Sequence, residues 1–87
     1  MRQCDQELDA ARALYLRAKK ELAKSELESA EQLLGDCIKK ADAPACHLLL
    51  ATALSLRQHP SARAHLDRYL LLEPDPRARA MIRAFVN

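Results

Sequence analysis

Leu22-Ala23-Lys24-Ser25-Glu26-Leu27-Glu28-Ser29-Ala30-Glu31-Gln32-Leu33-Leu34 returns 32 residues later as Leu54-Ser55-Leu56-Arg57-Gln58-His59-Pro60-Ser61-Ala62-Arg63-Ala64-His65-Leu66, keeping Leu, Ala and Leu at the first, ninth and thirteenth positions. The same offset pairs Ala11 with Ala43 and Leu16 with Leu48, and Ile38 with Leu70 as a near match. Self-similarity at this period is the mark of a helical repeat, in which each helix-turn-helix unit buries its apolar face against the next. A stacked array of that kind has no prebuilt catalytic pocket and offers a curved surface instead. The pattern therefore points to binding rather than catalysis.

On either side of the quoted stretch the apolar spacing stays helical. Leu8, Ala11, Leu14, Tyr15, Ala18 and Leu22 recur at intervals of three and four, predicting a first helix over about Asp5 to Lys24 with Asp5 as its cap. Ser25 and Glu28 read as a capping box that starts a second helix after a turn of one or two residues. That helix should bury Leu27, Ala30, Leu33, Leu34, Cys37, Ile38 and Ala41 and leave Glu28, Glu31, Lys39 and Lys40 in water. Gly35 sits inside it at a cost of about 1 kcal/mol relative to Ala, fitting either a close helix crossing or an exposed position. Pro44 opens a third helix to about Arg57, the most buried of the set, and Pro60 opens a fourth to Leu72 with Ala62, Leu66, Tyr69 and Leu70 inward. Glu73-Pro74-Asp75-Pro76 breaks the chain, Asp75 capping and Pro76 starting a final helix through Phe85.

Composition agrees with an all-α domain. The 87 residues are 49% hydrophobic, with one glycine and only Tyr15, Tyr69 and Phe85 as aromatics, so Leu and Ala must supply the core. A chain of this size buries about 60–65% of its unfolded surface. The net charge of +2 is too small to imply nucleic acid or a membrane surface. It is unevenly spread: residues 1–43 carry eight Lys/Arg against nine Asp/Glu, and residues 44–87 carry six Arg against three acids. Cys4, Cys37 and Cys46 are odd in number and match no metal or disulfide spacing; Cys37 and Cys46 fall on apolar faces and read as small buried hydrophobes in a reducing compartment. The apolar run Leu48 to Leu56 is too short to span a bilayer, and Asp5, Glu7 and Asp9 interrupt any signal-like start. A cytoplasmic location is the expectation.

Several residues carry a resemblance to the tetratricopeptide repeat family, whose period is about 34. Leu14 and Ala18 match its large and small residues one turn apart, Leu27 and Ala30 its apolar-x-x-small step, and Leu34 and Cys37 its later bulky-small couple. Cys46, Leu50, Ala62, Leu66 and Tyr69 fill the same slots in the second unit, and Leu72-Glu73-Pro74-Asp75 looks like the repeat ending. The resemblance covers about Ala11 to Asp75. Arg17 and Glu21 depart from it where apolar residues are usual, and Ser25 replaces the turn glycine. It implies a single domain over 1–87: two tandem antiparallel helix-turn-helix repeats (about 11–42 and 43–74) and a C-terminal capping helix (about 75–86), forming a short right-handed solenoid.

By the same resemblance, the leading helix of each repeat lines a concave face. Arg12, Tyr15, Lys19 and Ala23 fall there in the first repeat, His47, Ala51 and Ser55 in the second, and Arg79 and Arg83 on the cap. Lys19 and Ala51 occupy slots of the family's carboxylate clamp, which is thereby missing. Arg and Lys around Tyr15 suit carboxylates, so the expected partner is an acidic segment of another protein. The resemblance sets such an adaptor in a bacterial signalling, secretion or motility assembly. Self-association is the rival, because two repeats are few for a stable stack; Leu8 and Leu14 at one end, or Ile82, Phe85 and Val86 at the other, would make the contact. Nucleic acid is weaker, since Arg77, Arg79 and Arg83 lack interleaved aromatics and neighbour Asp67, Glu73 and Asp75. His47, His59 and His65 lack metal-ligand spacing, and no nucleophile motif stands out, so neither an enzyme nor a metal or other cofactor is expected.

Overall fold

A computed structural model describes the backbone of residues 2–86 and the side chains of residues 8–84. Five helices follow in order: α1 (Arg2–Ala23), α2 (Leu27–Lys40), α3 (Pro44–Leu56), α4 (Ala62–Leu72) and α5 (Pro76–Val86). Helix α1 begins ahead of Asp5, which lies within it rather than at its cap; the side chains of Cys4, Asp5, Phe85 and Val86 lie outside the described residues. The extensive packing is α1 on α2, α3 on α4 and α2 on α3, so two antiparallel hairpins sit in series. The molecule measures 40 × 30 × 18 Å, and the shortest dimension is that of two helix layers at a spacing of about 8–10 Å each.

Small side chains make that packing possible. Ala18 and Ala30 are wholly buried where α1 meets α2, beside Leu34, and Leu50 and Leu54 extend the same cluster from α3. Helix α3 is buried on several sides, as its Leu-rich sequence predicts. Gly35 is half-buried with open space where a Cβ would point, so no close crossing requires it.

Both leading helices end in the same turn. Ser25 takes a left-handed φ of 64°, its N–H bonding the Leu22 carbonyl at 3.0 Å while the Glu26 N–H reaches Glu21 at 2.9 Å. Gln58 repeats this at φ 58°, with Gln58 N–H on Ser55 and His59 N–H on Leu54, each at 2.9 Å. This is the Schellman arrangement, which satisfies the last carbonyls of a helix. It corrects the capping box: Ser25 is spent on terminating α1, and Glu26 precedes α2 with no side-chain cap. Helix α4 starts at Ala62, because Pro60 and Ser61 form a turn in which the Ser61 N–H donates to His59 Nδ1. The expected cap of the last helix is present, Asp75 Oδ1 accepting from the Arg77 N–H at 2.9 Å.

One correction concerns the cysteines. Cys37 of α2 and Cys46 of α3 form a disulfide, both nearly inaccessible to water, instead of serving as separate thiols. It covalently joins the two hairpins. Among the described residues, no helix is long and apolar enough to cross a membrane.

Candidate partner-binding grooves

Two grooves flank α3. The first, about 370 Å³, runs between α1 and the α2–α3 elbow. Its floor is Ala11, Tyr15, Ala41 and the two bridged cysteines, and Asp9 and Arg12 stand on its rim. Spacing of three and four along α1 places Arg12, Tyr15 and Lys19 on one side, as the sequence predicts. The Lys19 ammonium lies 5.8 Å from the centre of the Tyr15 ring, within reach of a cation–π contact. Arg12 and Lys19 are exposed, whereas Tyr15 is half-buried and fixed against the core.

The second groove, about 480 Å³, lies between α3, α4 and α5. Leu48, Ala51, Ser55, Leu56, Leu66 and Ile82 make it largely apolar. Among the described residues, α5 otherwise packs sparsely for the cap the sequence leads one to expect.

The remaining expected contact residues do not share one rim. His47 is 5% exposed and faces α4, so it is an interior group and not a contact. Ala51 is buried in the floor of the second groove. Arg79 is half-buried, and its guanidinium donates to the Glu73 carbonyl at 2.5 Å, tying α5 to its own linker. Arg83 is exposed on α5 and lines neither groove.

Sequence reasoning missed two polar assemblies because each joins residues distant along the chain. Arg57 Nε and a terminal nitrogen donate to both Glu31 oxygens at 2.7 and 2.9 Å, bracing α2 against the end of α3. That pairing holds the guanidinium above its ordinary range, and Glu31, expected in water, is largely covered. The second assembly begins at Asp42 in the α2–α3 linker. Its carboxylate accepts from Arg68 of α4 and bonds His47 Nε2 at 2.5 Å. Hydrogen bonds from Arg68 and then His47 hold Asp42 below the usual carboxylate range. His47 Nδ1 in turn meets His65 Nδ1 at 3.1 Å. Burial pushes Tyr69, on the same helix as His65, above its normal range, assisted by the charge of Glu73. Among the described residues, no three His, Cys, Asp or Glu side chains converge as a metal cage. Compared with known proteins, the chain matches no family model, no curated protein and no solved structure.

Proposed function

We propose that this chain is a tetratricopeptide-like interaction module that binds an acidic segment of a partner protein in the α1/α3 groove, without catalysing a reaction. The observation that carries the reading is the pairing of an apolar floor with Arg12 exposed on the rim and Lys19 over the anchored Tyr15 ring. A flat aromatic held by its surroundings loses little freedom on binding, and exposed cations attract carboxylates over several ångströms. Right-handed stacking of the two hairpins and a bacterial signalling, secretion or motility setting belong to this proposal through the resemblance alone. The disulfide removes the free-thiol argument for the cytoplasm, and we favour an oxidising compartment, where such bonds persist.

Fluorescence titration with acidic, neutral and basic peptides of equal length tests the reading. Acidic peptides should bind at least tenfold more tightly than basic ones, with an affinity that falls as salt rises. The double variant Arg12→Glu, Lys19→Glu should reverse that order. Equal binding of all three classes, unaffected by the charge reversal, would refute it.

Self-association is supported by a separate observation: Leu56, Leu71 and Met81, on α3, α4 and α5, are each more than 60% exposed. Apolar side chains of this size left in water favour a second surface. Molecular mass in solution over a hundredfold concentration range distinguishes the two readings.

A further inference from the structure

His47 and His65 face one another across α3 and α4 with Nδ1 against Nδ1 at 3.1 Å. Their ring centres are 5.3 Å apart, which is the nitrogen separation plus about one ring radius at each end. The nitrogens therefore meet head-on rather than face over face. Nitrogens sharing a metal ion turn their lone pairs toward a common point off the line between them, whereas these two aim at each other, so the gap fits a hydrogen. On its far side His47 Nε2 is committed to Asp42, which Arg68 also holds. A neutral His47 consequently keeps its proton on Nε2 and offers Nδ1 as acceptor, and His65 donates its Nδ1–H.

We propose that Asp42, His47 and His65 form an acid-released latch that fastens α4 to α3 while only one hydrogen lies between the two Nδ1 atoms. A single added proton is accommodated: an imidazolium at His47 donates Nδ1–H to His65, whose own proton moves to Nε2. A second added proton places two N–H groups and two positive charges against each other, and the contact parts. The groups facing this chain are Asp42 from the linker and His65 and Arg68 from α4. Among the described residues, α1 and α2 bring no ion pair to either imidazole, so no further carboxylate offsets the second charge.

The sign of the effect follows from His65. Burial first, and the charge of His47 second, hold it below its ordinary range. The folded protein thus binds fewer protons than the unfolded chain once pH falls below about 6.5, the ordinary histidine value. The latch contributes in full above that value and is lost on acidification.

Thermal unfolding between pH 7.5 and 5.5, followed by circular dichroism, tests this in the wild type and in His65→Gln. His65→Gln removes the facing imidazole and should lose at least half of the wild-type fall in Tm. Parallel slopes in the two proteins would overturn the proposal. Ring-nitrogen NMR of the unmutated protein gives a second readout that needs no variant to fold. His65 should be less than half charged at about pH 6.5, the ordinary histidine value, and half-protonation at or above that pH would also overturn it.

Discussion

Ser25 and Gln58 hold backbone conformations that side chains with a Cβ disfavour, each to end a helix. Glycine adopts the left-handed region freely, so Ser25→Gly and Gln58→Gly should each stabilise the fold by about 0.5–1 kcal/mol, read from urea unfolding. Gly35 is the opposite case. It sits in a helix with open space beside it, and Gly35→Ala should add about 1 kcal/mol. A loss of stability in that variant would mean the site is closer packed than the structure shows. Ser25 also marks where reading by residue type falls short. Serine two residues before a helix, followed by Glu28, satisfies the capping pattern, but the preceding helix claims the same residue first. His47 is misjudged for a related reason: its helix face is set by α3, but its surroundings are set by His65, 18 positions away.

Helices and their order are readable from the chain because spacing of three and four, prolines at first turns and the Asp75 cap are local signals. Crosslinks between helices are not. The nine-residue separation of Cys37 and Cys46 gives no hint of a bond, which exists because α2 and α3 cross with these Cα atoms 6.4 Å apart. Closing a loop of that length restricts the unfolded chain and contributes about 2–3 kcal/mol in the entropic account. The paired substitution Cys37→Ser, Cys46→Ser should therefore lower stability by about that amount, and a reducing agent should lower the Tm of the wild type but not of this variant. Equal Tm values with and without reductant in both proteins would show that the bond adds nothing. The repeat itself has a slip that only the elements reveal. The leading helices end 33 residues apart, at Ala23 and Leu56, whereas their partners end 32 apart, at Lys40 and Leu72. The 32-residue offset therefore holds for the matched helix positions, and the second leading helix runs one residue further before its turn.

Across the whole molecule the two outer faces differ. Beyond the first hairpin, α1 and α2 enclose a wide groove carrying Arg17, Lys20, Glu21, Lys24 and Asp36, charges unsuited to covering by another apolar hairpin. At the opposite end Leu71 and Met81 are exposed. If copies of the chain associate, Leu71→Glu with Met81→Glu should shift the mass toward monomer at fixed concentration, while Arg17→Glu should leave it unchanged. Tandem hairpins could be anticipated from periodicity, but the division of the expected contact residues between two grooves and an interior network depends on how α3 is rotated between its neighbours. The disulfide has one more consequence. Lys39 and Lys40 are exposed and lie inside the loop it closes. A protease nick after Lys40 would leave two fragments migrating as one species on a non-reducing gel and as two after reduction, so the protein can be cut between its hairpins without coming apart.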